Sequence, residues 1–319
     1  MHNPHSSHSK SDMLLGALVA DAACLGLHWL YDADRIAKIA EHRGAAAFTP
    51  VDAKHFDGAK GYFAHSARQN GMLTQYGEAL WVAIRTMNTQ NGTFDVAAQQ
   101  AAFAAHFGPG GAFTGYIDRP TRGALERIAD NQTPSGIDDD QNPALSRLPV
   151  VIAAYHGTSE LADMARAAMQ ITNVNDVADD YNTVFIDLLG RVLDGEPLDS
   201  ALVAAADNAQ GDIQAALRHA LTTQETDSTV FTGEVGRACH LPTSGPAMFH
   251  ILKHSSSYAE AVERNVLAGG DSAGRAIPIG AAMGAAQGVA TPSGIPLAWV
   301  LKLTNGATIW DGCTRLGSA

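Results

Sequence analysis

The chain has 319 residues, of which 46% are hydrophobic, enough for a sizeable core in one large domain or two closely fused ones. Its formal charge of −12 at pH 7 disfavours nonspecific binding to nucleic acid, and no Lys/Arg cluster reverses that balance locally. Three widely separated cysteines form no CxxC pair, which disfavours zinc ribbons and a disulfide framework. The sequence has no run of about 18 or more uncharged apolar residues, which is the pattern that predicts a membrane span. We therefore expect neither nucleic-acid nor membrane partners.

The start of the chain is polar and rich in His and Ser, and it lacks the basic flank and apolar core of a signal peptide. These features predict a cytoplasmic protein with a disordered tail over residues 1–10 and one domain over residues 11–319. The strongly apolar segment from Met13 to Leu30 predicts a buried helix. Asp21 and His28 are seven positions apart in it, a spacing that places an acid and an imidazole on one helical face.

A long segment from Gly44 to Gly71 has the composition of a loop and carries several aromatic residues. Most of the remaining chain shows helical patterning, and period-two alternation does not persist over more than a few residues. The sequence therefore predicts an all-α bundle without a repeat of constant period. The helices predicted in the second half span 159–171, 174–193, 197–208, 211–223, 230–240, 246–254, 258–267 and 271–288.

The stretch from Ala268 to Ala276 predicts a helix start with a functional candidate in it. Gly269 and Gly270 permit a tight turn, and Asp271 with Ser272 supplies acceptors for the free N–H groups of a first helical turn. The small apolar residues that follow predict a buried helix. A carboxylate at the mouth of a buried helix needs a partner, so Asp271 is either a simple cap or part of a site.

Two other motifs are weaker. The glycines at 108–111 and 269–270 are able to present N–H groups to an anion, but they lack the strand and spacing of a P-loop or dinucleotide fingerprint. His250 and His254 share a helical face near His240, and a third metal ligand is not evident, so a polar helix face is the preferred interpretation.

Polar residues recur at predicted loop–helix junctions, which is where a cleft between bundle helices collects them. The segments are Asp21 with His28, 74–78, 116–118, Asp140-Gln141 and Asp271-Ser272. Together with the segments 16–23 and 269–272, they resemble the ADP-ribosylglycohydrolase superfamily. The segments 20–23, 27–32, 115–118 and 270–275 are most similar to its crystallin J1 and selenoprotein J branch. The resemblance covers the chain from about Leu14 to Trp299 and implies an all-α fold with a binuclear magnesium centre.

The sequence departs from the ligand set that the resemblance implies. A Thr-Asp-Asp triplet is replaced by Thr74-Gln75-Tyr76, and an Asp-x-Asp-Thr set by Asp271-Ser272-Ala273-Gly274. His28 stands where the metal-dependent members carry an acidic residue. Since magnesium prefers carboxylate and water oxygens, we expect no Mg²⁺ pair, no other metal and no other cofactor.

Two functions remain open. The first is metal-independent hydrolysis of an N-glycosidic bond, ADP-ribosyl or a related ribosyl linkage, in a small molecule or modified protein. A carboxylate would stabilise the oxocarbenium-like state and His28 would act as acid or base. The second is a catalytically inactive protein that binds a nucleotide-like ligand or has a crystallin-like structural role. The catalytic candidates are Asp21, His28, Glu78 and Asp271. The candidate residues for a small-molecule or ADP-ribose-like ligand are Trp29, Thr74, Gln75, Tyr76, Tyr116, Asp118, Asp140, Gln141, Ser272 and Arg275.

Overall fold

The computed structural model describes residues 4–318, with side chains described from Lys10 onward. Within that range it is all-α, as predicted, and its only β pairings are isolated bridges. The helices are α1 (Pro4–Cys24), α2 (Ala33–Arg43), α3 (Gln75–Thr89), α4 (Val96–Phe107), α5 (Arg119–Ala129), α6 (Leu148–Tyr155), α7 (Leu161–Met169), α8 (Asp176–Leu193), α9 (Leu198–Asn208), α10 (Gly211–Thr222), α11 (Ser228–Val235), α12 (Leu241–Lys253), α13 (Tyr258–Leu267), α14 (Ser272–Gln287), α15 (Leu297–Val300) and α16 (Gly306–Gly317). Short 3₁₀ helices span Leu25–Leu27, Ala53–Phe56 and Asn142–Leu145.

Helices α1 and α14 form the centre of the bundle, and they pack closely because glycines line their contact. A Cβ atom at Gly16 would lie 2.3 Å from the Gly280 carbonyl oxygen, and one at Gly280 would lie 2.3 Å from the Gly16 carbonyl oxygen. Every residue of α14 from Ser272 to Ala285 is buried. The predicted buried helix is therefore confirmed, and its N-terminus lies inside the protein.

The prediction that the first helix continues to Leu30 is wrong at its C-terminal end. Helix α1 ends at Cys24 and is followed by the 3₁₀ helix Leu25–Leu27. Gly26 packs so tightly on the loop that a Cβ there would lie 1.8 Å from the Thr49 carbonyl oxygen, and Trp29 has a φ of 66°. This turn, and not a helical stripe, positions His28, so Asp21 and His28 do not share a helix face. The tail predicted over residues 1–10 lies partly outside the described residues, and α1 begins at Pro4.

Helix boundaries also differ around Pro246. The sequence predicted helices over 230–240 and 246–254, but α11 ends at Val235 because Gly236 has a φ of 117°, which is not helical. Helix α12 starts earlier, at Leu241, with Pro242 in its first turn, and it contains Pro246.

The long loop after α2 is present, interrupted by the 3₁₀ helix Ala53–Phe56. Among the described residues, no helix is long and apolar enough to cross a membrane.

Candidate functional site

The N-terminus of α14 holds the centre of the site. Asp271 caps this helix by accepting a hydrogen bond at Oδ1 from the Gly274 N–H, at 3.1 Å. The same oxygen lies 2.7 Å from Nε2 of His28. Its Oδ2 accepts from the Tyr76 hydroxyl at 2.9 Å and from Asn142 Nδ2 at 2.8 Å. Each carboxylate oxygen thus has two donors, which fills the usual acceptor capacity of the group.

These contacts fix the ionisation of Asp271. Burial by itself raises the pKa of this carboxyl, but the hydrogen bond and charge of His28, with help from Asn142 and Arg275, hold its pKa below the usual range. Burial and the neighbouring Asp271 raise the pKa of Tyr76 well above its usual value, so the phenol keeps its proton and donates. Asp271 is therefore a carboxylate that only accepts, and His28 donates to it from Nε2.

His65 extends this arrangement, although sequence reasoning did not select it as a site residue. Its Nε2 lies 2.6 Å from Nδ1 of His28. Burial, reinforced by the charges of His28 and Arg68, lowers the pKa of His65 well below its usual value. Which ring donates depends on the tautomers: where His28 carries a proton only at Nε2, its Nδ1 accepts from the His65 Nε2–H. The lone pair on His65 Nδ1 is then buried without a partner among the described residues.

Asp21 lies at a separate place, the N-terminus of α3. Its Oδ1 accepts from the Thr74 hydroxyl at 2.5 Å and from the Gly77 N–H at 3.2 Å, and its Oδ2 accepts from the Thr74 N–H at 2.7 Å. Burial raises the pKa of Asp21 to about 7, and the bonds from Thr74 and Gly77 oppose that rise. Asp21 thus anchors the helix that carries Tyr76.

Glu78 is on α3 as well, but it points to other partners. It forms ion pairs with Arg68 and with His106, whose Nε2 is 3.0 Å from Glu78 Oε2. Burial opposes ionisation, but the bonds from these two partners lower the pKa of Glu78. It makes no hydrogen bond with His28 or Asp271, so the structure does not bring all four predicted catalytic residues together.

A second buried surface is formed by Gln75 and Asp118. Asp118 caps α5 by accepting from the Thr121 N–H at 2.9 Å. Burial raises its pKa, the bonds from Thr121 oppose this, and the nearby Asp271 raises it further. Asp118 Oδ2 and both amide atoms of Gln75 are buried without a hydrogen-bond partner of ordinary geometry among the described residues. Such groups are expected to bind water or a polar ligand.

An aromatic cluster of Trp29, Tyr62 and Tyr116 connects the buried histidine to the surface. The Trp29 ring lies 4.6 Å from the His28 ring and 4.9 Å from the Tyr116 ring, measured between centroids. Tyr62 and Tyr116 are 5.5 Å apart. His28 is fully buried, Trp29 is 9% exposed and Tyr62 is 56% exposed. This cluster therefore lies between His28 and the surface.

The other predicted ligand-binding residues lie around this centre with partners of their own. Asp140 Oδ1 is 2.5 Å from His240 Nδ1, and Gln141 Oε1 accepts from the Cys239 thiol at 3.0 Å. Arg275 donates to the Gly269 carbonyl at 2.6 Å and so holds the turn before α14. The Ser272 hydroxyl is buried without a partner among the described residues.

A family model described as ADP-ribosylglycohydrolase matches residues 10–318. The chain belongs to this family. Crystallin J1A of Tripedalia cystophora is 23% identical over 309 residues, which cover 93% of this chain and 92% of that protein. Crystallin J1B of the same organism is 22% identical over 316 residues, covering 95% and 94%. A solved structure titled ADP-ribosylglycohydrolase-related protein complex superposes with a TM-score of 0.73 at 16% identity, covering 99% of this chain and 100% of that one. This last likeness shows the fold.

The residues at the positions of the family's magnesium centre do not fit two divalent cations. Magnesium is held through carboxylates and waters in near-octahedral geometry. Here Gln75 and Tyr76 follow Thr74, and Ala273 and Gly274 follow Asp271 and Ser272. The retained carboxylate, Asp271, already accepts four hydrogen bonds from protein groups. Hydrogen bonds from protein groups therefore occupy both oxygens of Asp271, the carboxylate retained at these positions.

Proposed function

We propose that this ADP-ribosylglycohydrolase-family chain hydrolyses a ribosyl N-glycosidic bond, ADP-ribosyl or a related one, without a metal. The proposal rests on one observation, the hydrogen-bonded chain Asp271–His28–His65 that ends in an unpaired ring nitrogen. Asp271 holds the proton of His28 on Nε2, and the two imidazoles share the next hydrogen bond. The charge of Asp271 offsets part of the lowering of the His65 pKa that burial causes.

His65 Nδ1 is the base in this scheme. A water that attacks the anomeric carbon gives its proton to Nδ1, the His65 Nε2 proton moves to His28 Nδ1, and the bond from the anomeric carbon to the leaving nitrogen breaks. The positive charge that develops on His28 is stabilised by the carboxylate of Asp271, 2.7 Å away. Asp118 is the candidate acid for the leaving nitrogen, because burial raises its pKa and its Oδ2 has no hydrogen bond of ordinary geometry among the described residues, although Gln75 lies beside it.

The ligand groups expected beside these residues are hydroxyls. The Gln75 amide and Asp118 Oδ2 make no hydrogen bond of ordinary geometry among the described residues, and the Trp29 indole N–H has no partner there. A hydroxyl both donates and accepts, so a sugar ring matches such a mixed set. Tyr116 and Trp29 supply the aromatic faces against which a base or sugar packs.

A second function has its own support. Asp271 is fully buried and already accepts four hydrogen bonds, as expected of a structural core group. On that basis the chain binds a nucleotide-like ligand at the aromatic cluster, or has a crystallin-like structural role, without turnover. The proposed site residues then hold the bundle together and place Trp29.

A thermal-shift screen separates these functions once turnover is measured on its hits. The ligands are ADP-ribose, nucleosides, nucleotides and ribosylated small molecules, each tested with millimolar magnesium and with EDTA. Metal-free hydrolysis is supported by a compound that stabilises the protein in EDTA and is cleaved at the same rate in both buffers. Stabilisation by a compound that is not cleaved supports the second function, ligand binding without turnover. A rate that requires magnesium overturns metal independence.

A further inference from the structure

Helix α2 carries a stripe of basic side chains that line a surface hollow. Positions 35, 38, 39 and 42 follow the i, i+3, i+4, i+7 spacing of one helical face. The hollow has a volume of about 280 Å³, and its lining residues are Arg35, Lys38, Ile39, His42, Arg43 and His55. Five of the six are cationic or histidine, and none is acidic. The hollow shares no residue with the site around His28 and Asp271.

The cations of this hollow are not neutralised by the protein. Among the described residues, Arg35, Lys38 and Arg43 have no carboxylate within ion-pair distance, unlike Arg68 and Lys253, for example. Three such cations thus line one hollow of a chain in which carboxylates are in excess, with 33 acidic and 21 basic residues. Asp34 and Glu41, the acidic residues of α2, lie about a quarter turn away from the stripe, which is why the linear sequence shows no basic cluster.

Two of the cations are held rigidly. Arg35 donates to the carbonyl oxygens of Lys54 at 2.9 Å and His55 at 3.3 Å. Arg43 donates to the Phe48 carbonyl at 3.1 Å and to the Thr49 hydroxyl at 2.5 Å. Their guanidinium groups are therefore fixed in the folded protein, and a ligand would lose little side-chain entropy in binding them.

His55 supplies the second observation that points to a ligand. Its Nε2 is buried, and no partner for it exists among the described residues. A buried ring nitrogen without a hydrogen bond is unfavourable, and an oxyanion seated in the hollow would provide the acceptor. Lys38 and His42 are exposed and are free to bind such a group.

We propose that this hollow binds a phosphate group, with Arg35, Lys38, His42, Arg43 and His55 as its ligands. A phosphoryl group has several acceptor oxygens and at least one full negative charge, which match several donors and unpaired cations. The volume admits a group as large as a diphosphate. The shared chemistry is a phosphoryl oxyanion, either inorganic or carried on an organic ester.

Isothermal titration calorimetry tests this with inorganic pyrophosphate and with glycerol 2-phosphate, in magnesium-free buffer at constant ionic strength. We expect saturable 1:1 binding, at least tenfold weaker in the double variant Lys38→Gln, His42→Gln. The control Lys253→Gln removes a cation that is paired with Asp199, at 3.3 Å, and is expected to bind as the unchanged protein does. Tighter binding of pyrophosphate than of the ester identifies the free anion as the preferred source, and the reverse order identifies the ester.

The proposal is overturned if neither compound binds saturably at millimolar concentration, or if both bind the double variant as tightly as the unchanged protein. An equal loss in Lys253→Gln also overturns it, because the effect would then follow net charge and not this hollow. Lys38 and His42 are exposed and make no hydrogen bond among the described residues, so both variants are expected to fold.

Discussion

His28 and Asp271 are separated by 243 positions in the chain, yet His28 Nε2 lies 2.7 Å from Asp271 Oδ1 in the interior. Backbone bonds reinforce this contact, since the Trp29 N–H donates to the Gly270 carbonyl at 2.8 Å and the Gly270 N–H to the Leu30 carbonyl at 2.7 Å. The turn after α1 and the N-terminus of α14 are thereby joined. A buried carboxylate with a full set of donors stabilises this junction without a cation.

Replacing Tyr76 with Phe removes one of the four donors to Asp271. Oδ2 of the buried carboxylate then keeps only the bond from Asn142, and we expect Tyr76→Phe to lower the free energy of unfolding by about 1–3 kcal/mol. Urea denaturation measures this. Tyr181→Phe is the matched control, because this buried tyrosine makes no hydroxyl hydrogen bond among the described residues, and its change is expected to be near zero. Equal effects of the two substitutions would contradict the importance of the Asp271 contact.

The raised pKa of Asp21 predicts a pH dependence of stability. Its folded pKa is about 7 against an ordinary value of 3.8, so between these values the folded protein binds a proton that the unfolded chain has lost. The free energy of unfolding contributed by this group therefore falls as pH rises from about 4 to 7, by up to about 1.4 kcal/mol per pH unit.

Asp21→Asn tests that slope because an amide does not titrate. We expect the variant to lose the Asp21 contribution, so that its stability relative to the unchanged protein improves from pH 4 to pH 7 in chemical denaturation. Asp271 has the opposite trend: its lowered pKa contributes stability that is lost as pH falls through the pKa of the folded state. Because both proteins contain Asp271, the difference between their stabilities cancels this trend. A difference between the two proteins that stays constant with pH would contradict the raised pKa.

His65→Gln tests the hydrogen-bonded chain in the proposed hydrolysis. Glutamine retains a polar group near His28, but it cannot take a proton from water at neutral pH. For any substrate found by the screen, we expect kcat to fall by a factor of about 100 with little change in KM, as is typical for loss of a general base. His156→Gln, which removes a histidine paired with the exposed Asp194, is expected to leave both constants unchanged. Unchanged kcat in His65→Gln would exclude the base assigned here.

The sequence predicted the fold and one end of the site for physical reasons that the structure makes clear. Helical periodicity and capping are local, and Asp271 indeed caps α14 through the Gly274 N–H. The turn that places His28 was not predictable from spacing, because it depends on the close approach of Gly26 to the Thr49 carbonyl, in a different segment. A continuous apolar run cannot reveal where such a contact ends a helix.

His65 and Asn142 were missed because their importance is purely tertiary. His65 lies in the long loop that the sequence showed only as Gly-rich and aromatic, and Asn142 follows the acidic run at 138–140. Nothing local distinguishes either residue from its neighbours. Glu78 shows the reverse case: its position in the first turn of α3 suggested a site, but it lies two residues beyond Tyr76 and so faces a different side of the helix, toward Arg68 and His106.

Gly77 is the residue on which the position of α3 depends most directly. A Cβ atom there would lie 2.2 Å from Asp21 Oδ2 and 2.6 Å from Asp21 Cγ, so an alanine must displace either the helix or the carboxylate. Displacement breaks the bonds from Thr74 and Gly77 to Asp21. We expect Gly77→Ala to lower the free energy of unfolding by about 3 kcal/mol, measured by urea denaturation.

Gly190→Ala is the control, since it also places a Cβ inside a helix. At Gly190 the nearest neighbour of the new atom is His156 Cε1, at 3.6 Å, which is an ordinary contact. The substitution therefore gains helix propensity without strain, and we expect it to raise stability by about 0.5–1 kcal/mol. If both alanines stabilise the protein, α3 is free to shift without loss, and Asp21 does not fix Tyr76 against Asp271.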